Sequence, residues 1–164
     1  EEGNAEVGKL IAMQVAAMNP IAIDENGVPA NIKEEEYKVA VEKTKEEQVE
    51  KAVQNALKKA GFNLYIAENE EHIAEGIAKG NITEAQADEI RNIKKTVAEE
   101  KLANLPEQMI ANIANGRMAK FYKESCLLNQ EFCMDGSKTV SQMLKEASST
   151  LTVTAFKRFT LRAD

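Results

Sequence analysis

The chain has 164 residues, of which 43% are hydrophobic and 29% charged, as expected for a folded domain with a substantial core. Its formal net charge of −6 argues against nucleic acid as a direct partner, because phosphate binding needs a concentrated cationic surface. No run approaches the roughly 20 apolar residues that span a bilayer, so we expect no membrane segment and no membrane partner.

The first predicted element is a helix with Asn4 as its N-cap. Its apolar face is broad, which predicts packing on more than one side. This face consists of Val7, Leu10, Ile11, Val15 and Met18, widened by Ala12, Ala16 and Ala17. The pair Asn19-Pro20 ends the helix, and a turn follows at residues 24–27.

The block from Ile32 to Leu105 predicts an antiparallel helical hairpin with an elaborated tip. Its first arm, residues 32–60, is rich in Glu and Lys, has a narrow apolar seam and ends at Gly61. A shorter helix is predicted between Asn69 and Lys79, with Ile73 and Ile77 inward. Thr83 and Gln86 then form a capping box that opens the returning helix.

The stretch from Leu105 to Lys145 predicts a helix, a short apolar loop at residues 127–135 and a second helix. The first of these helices begins at Pro106, and a capping box of Thr139 and Gln142 opens the second. The apolar stripe of the first helix consists of Ile110, Ile113, Ala114, Met118 and Phe121. Gly116 within it indicates close packing in the same core, a kink, or close approach of a partner.

The final stretch, Leu151–Leu161, alternates apolar and polar residues and predicts a β-strand. Phe156 and Lys157 break the alternation, which is consistent with a bulge. No other segment predicts a strand of similar length that could pair with it. The expected fold is therefore mostly α, of the α+β type, with one C-terminal strand that lacks its partners and leaves an exposed edge.

Residues with catalytic or metal-binding chemistry are sparse. His72 is the sole histidine, and we interpret it as an exposed residue on a helix surface. Cys126 and Cys133 lack the spacing and number of ligands of a zinc site, and we expect two buried thiols rather than a disulfide. There is no phosphate-binding glycine loop followed by Lys-Ser or Lys-Thr. We therefore expect neither an enzyme nor a bound metal or cofactor.

Five segments strongly resemble the C-terminal part of bacterial translation elongation factor Ts. They are IAMQVAAMNP (Ile11–Pro20), GRMAKF (Gly116–Phe121), LLNQEFCMD (Leu127–Asp135), SKTVSQMLKE (Ser137–Glu146) and FKRFTLR (Phe156–Arg162). The resemblance implies a cytoplasmic guanine-nucleotide exchange factor that promotes GDP release from elongation factor Tu. It also implies that the final strand joins a sheet whose other strands precede this sequence, so the chain resembles a fragment.

The resemblance further implies a division of the chain into three parts. Residues 1–30 and 106–164 would form the two halves of the C-terminal core subdomain, and residues 31–105 the helical insertion, which can serve in self-association. The family's Thr-Asp-Phe-Val motif, which wedges into the GTPase domain, has no match here. The expected contribution is therefore docking on the third domain of elongation factor Tu, and not expulsion of nucleotide.

The family's docking segment, Phe-Val-Met-Glu, resembles Phe132, Cys133, Met134 and Asp135. Phe132 and Met134 would be the hydrophobic anchors, or else both fill the chain's own core. An alternative function from another class is a helical self-assembly or adaptor module, forming a homodimer through the helical hairpin or through the final strand.

Overall fold

The computed structural model describes residues 5–161, so the expected cap Asn4 lies outside the described residues. The chain divides into two compact units, each described by itself. The first joins Glu1–Lys38 with Asn115–Asp164, and the second is the continuous stretch Val39–Ala114. Two helices, α2 (Ala30–Lys59) and α6 (Glu107–Ser125), begin in one unit and end in the other.

The first unit holds the β-structure of the described residues together with helices from both ends of the chain. Besides its share of α2 and α6, its elements are α1 (Ala5–Met18), β1 (Glu131–Phe132), β2 (Asp135–Thr139), α7 (Val140–Ala147) and 3₁₀ turns at Glu25–Gly27 and Leu127–Asn129. Two predicted helix boundaries are confirmed. Helix α1 ends before Asn19, which has a left-handed φ of 46°, and the capping box of Thr139 and Gln142 begins α7. The two-stranded sheet is β1 paired antiparallel with β2.

The main core of this unit joins one face of α1 to the β-hairpin and α7. Its buried members are Val7, Ile11, Val15, Leu127, Phe132, Val140, Met143 and Leu144. A second, smaller cluster places Cys126 beside Ala22 and Val28. Backbone N–H groups of Leu127 and Leu128 donate to the carbonyls of residues 22 and 23, so the chain after α6 lies alongside the chain after α1.

The second unit contains three helices besides its share of α2 and α6. They are α3 (Leu64–Ala67), α4 (Glu70–Ala78) and α5 (Glu84–Ala103). Its core brings Leu57 of α2 together with Ile73 of α4 and Ile90 of α5. The predicted capping box of Thr83 and Gln86 is confirmed. The helix α3 was not predicted; the amide oxygen of Asn63 caps it, accepting from the backbone N–H of Tyr65 at 2.8 Å.

The structure contradicts the predicted exposure of Met18 and of His72, and it contradicts one of the three alternatives given for Gly116. Met18, predicted to face inward, is 46% exposed. His72 is partly buried, because α3 brings the Tyr65 ring to a centroid distance of 4.2 Å, and the imidazole stacks on it. Gly116 does not allow close packing in the core: a Cβ built on it meets no atom within 4 Å. The tight helical glycine is instead Gly76, whose Cβ would lie 3.0 Å from a methyl of Ile66.

The predicted C-terminal strand is not formed by the described residues. Residues 151–160 have no regular secondary structure, and among the described residues the sheet consists of β1 and β2. A β-strand forms only where its backbone pairs with a neighbouring strand. Leu151, Val153 and Phe156 pack on the main core of the first unit, whereas Phe159 and Leu161 are 89% and 107% exposed. The residue interpreted as breaking the alternation, Phe156, is thus one of the three that are packed inward.

Candidate docking site

The candidate site is the tip of the β-hairpin. Phe132 pairs with Asp135, so Cys133 and Met134 form the two-residue turn between the strands. Neither turn residue has a positive φ, which excludes the primed turns that usually close two-residue hairpins. The strand register shifts between Glu131 and Phe132, and such a bulge is one way to accommodate an unprimed turn.

The structure separates the four residues singled out from the sequence into one buried and three exposed side chains. Phe132 is 6% exposed and belongs to the core of the first unit. Met134 is 61% exposed, and Cys133 and Asp135 are also exposed. Met134 is therefore the large apolar side chain that the hairpin presents to solvent, while Phe132 fills the core beneath it.

Asp135 is held by a local network on the other side of the turn. Its Oδ1 accepts hydrogen bonds from the Ser137 backbone N–H at 3.1 Å and from the Ser137 hydroxyl at 2.6 Å. Its Oδ2 lies 3.6 Å from Nζ of Lys138, which also pairs with Glu146 of α7 at 2.6 Å. The hydrogen bonds from Ser137, followed by the charge of Lys138, lower the pKa of Asp135 below its usual value. The carboxylate is therefore ionised and fixed in direction.

Gln14 was not among the residues predicted for the site, and it lies fully buried on the inner face of α1. Its Oε1 accepts from the Cys133 backbone N–H at 2.7 Å, and its Nε2 donates to the Glu131 carbonyl at 3.0 Å. A signal for this was available, because Gln14 follows Val7 and Ile11 by seven and three positions and so falls on the same helical stripe. A lone polar side chain in that register must find partners when it is buried.

The two cysteines differ in their surroundings, and both are free. Cys126 is fully buried, and burial raises the pKa of its thiol. Cys133, which we predicted to be buried, is exposed because it occupies the turn of the hairpin. Exposure places the Cys133 thiol next to Met134 on the surface of the hairpin turn.

Across residues 5–161, no group of three or more His, Cys, Asp or Glu side chains is arranged to hold a metal ion. Across the same residues, no helix combines the length and apolar character needed to cross a membrane. The geometry at the hairpin tip, one exposed thioether between an exposed thiol and a fixed carboxylate, is suited to binding another protein.

Comparison with known proteins gives one consistent result. A family model described as Elongation factor TS matches residues 1–89 and 67–163. The chain is 60% identical over 154 residues to the elongation factor Ts of Phocaeicola vulgatus, and 57% identical over 159 residues to that of Bacteroides fragilis. These alignments cover 94% and 97% of this chain but 47% and 48% of the relatives, so the chain spans about half their length.

Proposed function

The chain belongs to the elongation factor Ts family, and from that membership we propose that it is the part of such a factor that docks on elongation factor Tu. In this proposal residues 1–30 and 106–164 form a core subdomain, and residues 31–105 form a helical insertion. The partner surface is the third domain of elongation factor Tu. The chain acts in translation elongation, in the cytoplasm, by binding rather than by catalysing a reaction.

The observation that carries the proposal is the exposure of Met134 in the turn of a β-hairpin that Phe132 anchors in the core. An apolar side chain that is 61% exposed gains little within this chain, and it gains most when another surface covers it. Methionine adapts to the shape of a partner surface, and its hairpin is anchored by Phe132 in the core. We call residues Phe132–Asp135 the docking segment.

The proposed mechanism is exchange by differential binding. A factor that binds the nucleotide-free form of elongation factor Tu more tightly than the nucleotide-bound form weakens nucleotide binding by the same factor. The Thr-Asp-Phe-Val motif associated with expulsion of nucleotide is absent from this sequence. The chain alone therefore supplies docking energy without distorting the nucleotide site, and it should bind weakly and leave GDP release slow.

Two measurements test this proposal. Elongation factor Tu loaded with fluorescent GDP is mixed with the chain, and release is followed after addition of unlabelled nucleotide; no acceleration is expected. A pull-down with immobilised elongation factor Tu should retain the chain, and a Met134→Asp variant should be lost from it. Rapid release catalysed by the chain alone would contradict the division of labour, and failure of the unmodified chain to bind would contradict docking.

A second candidate function is self-assembly, favoured by one observation. Phe159 and Leu161 are almost fully exposed in a segment without regular secondary structure. Two copies could pair these segments, or could associate through the helical hairpin. Light scattering distinguishes this candidate from docking by the molar mass of the chain in solution. A dimer that dissociates to a monomer when Phe159 and Leu161 are changed to Ser would support self-assembly. A monomer at high concentration would exclude it.

A further inference from the structure

The amide of Gln14 occupies the place that a neighbouring strand would take beside β1. It accepts from the N–H of Cys133 at 2.7 Å and donates to the carbonyl of Glu131 at 3.0 Å. These two backbone groups are two residues apart, the spacing at which a strand presents a donor and an acceptor to the same side. Gln14 therefore bonds the edge of β1 directly to the middle of α1.

Gln130 supports this amide from the far side. It is 1% exposed, and its Oε1 accepts from Nε2 of Gln14 at 3.3 Å. Its own Nε2 donates to the carbonyls of Glu124 at 2.9 Å and Met18 at 3.4 Å, which lie in the last turns of α6 and α1. Carbonyls at helix ends lack partners within the helix, so Gln130 provides a hydrogen bond to two such acceptors.

Together the two amides form a closed buried network. Each Nε2 donates two hydrogen bonds and each Oε1 accepts one. Loss of one member leaves buried donors or acceptors unsatisfied, which makes such a network specific for a single arrangement. The arrangement it specifies includes the backbone from Glu131 to Cys133, directly before Met134.

We propose that Gln14, supported by Gln130, is a positioning residue for the docking segment. Its amide fixes the backbone from Glu131 to Cys133 and so sets the direction in which Met134 leaves the hairpin. The assignment of that direction to partner binding rests on the proposed function. The fixing of the backbone is independent of the proposed function, and it can be measured on the chain alone.

The test compares Gln14→Met, which keeps the length of the side chain but removes its polar atoms, with Val15→Ala. Val15 is buried in the same core on the neighbouring position of α1, so its truncation loosens packing without touching the network. Amide hydrogen exchange is measured at Cys133 and across α7. We expect Gln14→Met to speed exchange at Cys133 about tenfold more than Val15→Ala does, because the acceptor of that amide is gone.

The second readout is the affinity for elongation factor Tu, measured for Gln14→Met, Met134→Ala and the double variant. If Gln14 acts through Met134, the Met134→Ala change costs less affinity in the Gln14→Met background than in the unmodified chain. Equal costs in both backgrounds would overturn the proposed route through Met134. Equal exchange at Cys133 in Gln14→Met and Val15→Ala would overturn the fixing of the backbone.

If the docking proposal is wrong, the affinity and exchange measurements give a different pattern of results. Met134→Ala would then leave affinity unchanged in the unmodified chain, while exchange at Cys133 still responded selectively to Gln14→Met. Should Gln14→Met not fold, Gln130→Met provides the same measurement, since it removes one of the two acceptors of Nε2 of Gln14. We expect a smaller selective rise at Cys133 from that variant, and the absence of any rise would overturn the role given to Gln130.

Discussion

Phe132 and Met134 are two positions apart in the β-hairpin, yet one is 6% exposed and the other 61%. In a continuous strand, residues at this spacing would share a face. Here the chain reverses between them, because Phe132 is the last residue of β1 and Met134 is the second residue of the turn. The two apolar side chains of the docking segment therefore have separate roles, one in stability and one at the surface.

This separation predicts that alanine at Phe132 lowers stability, whereas alanine at Met134 lowers affinity for the partner. Phe132→Ala should lower the free energy of unfolding by about 3–5 kcal/mol, because it leaves a cavity in the core. Met134→Ala should change it by less than about 0.5 kcal/mol, as exposed positions usually do. Affinity for elongation factor Tu should fall about tenfold in Met134→Ala. Urea unfolding and calorimetric titration measure the two quantities. A Met134→Ala variant as unstable as Phe132→Ala would contradict the assignment.

The two glycines inside α6 and α4 should respond oppositely to a methyl group. Gly116→Ala should raise the free energy of unfolding by about 0.5–1 kcal/mol, since alanine favours the helix and the added Cβ meets no neighbour. Gly76→Ala is the matched control, and it should be destabilising because Ile66 and Ile82 crowd the site. Thermal unfolding of both variants checks the pair. Destabilisation by Gly116→Ala would indicate a contact that the described residues do not make.

The two capping boxes offer a second matched pair. Thr139→Ala and Thr83→Ala each remove the hydroxyl that accepts from a glutamine N–H three residues on, at 3.2 Å and 3.1 Å. Each should cost about 1 kcal/mol of helix stability. Amide exchange should localise the loss to α7 in one variant and to α5 in the other. A uniform loss across both helices would show that the two units do not open separately.

Cys126 should make stability fall at alkaline pH. Burial raises the pKa of its thiol, so the folded state holds the proton more tightly than the unfolded state does. The stabilisation is complete below the ordinary thiol pKa of about 8.5 and is lost as pH rises from there through the folded pKa. A Cys126→Ala variant should lack this decline, measured by urea unfolding from pH 7 to 10. A decline of equal size in both chains would place its origin elsewhere.

The same pair of thiols can be counted by their reaction with Ellman's reagent. Cys133 is exposed and Cys126 is fully buried. The native chain should therefore release one equivalent of the reagent's coloured thiolate quickly, and the second equivalent only on unfolding. Cys133→Ser serves as the control and should abolish the fast phase. Two fast equivalents in the native chain would contradict the burial of Cys126.

The sequence was sufficient to predict every α-helix of the described residues except α3, together with most of their boundaries. Caps such as Thr83 and Thr139 are local signals, since the partner of each hydroxyl lies three residues away. The β-hairpin gave no such signal: β1 has only two residues, and its turn, Cys133-Met134, lacks the glycine or asparagine that would mark it. The final stretch was predicted as a strand that lacks its partners, and residues 151–160 have no regular secondary structure, because alternation describes side chains, whereas a strand depends on a backbone partner.

The candidate site was predicted only in part, for a related reason. The resemblance to the family selected the docking segment, but it did not distinguish Phe132 from Met134, which differ through packing. Gln14 was missed because its hydrogen-bond partners lie 116 to 119 residues further along the chain. Its place on the stripe with Val7 and Ile11 indicated burial; what it bonds to depends on the fold of the whole first unit.

The division of the chain into units also sets an expected order of assembly. The unit Val39–Ala114 is continuous in sequence, so its contacts close short loops and can form early. The contact of Gln14 with Cys133 must wait until the ends of that long intervening stretch are brought near each other. We therefore expect the surface that presents Met134 to mature last, after the helical part of the molecule has shortened the effective loop.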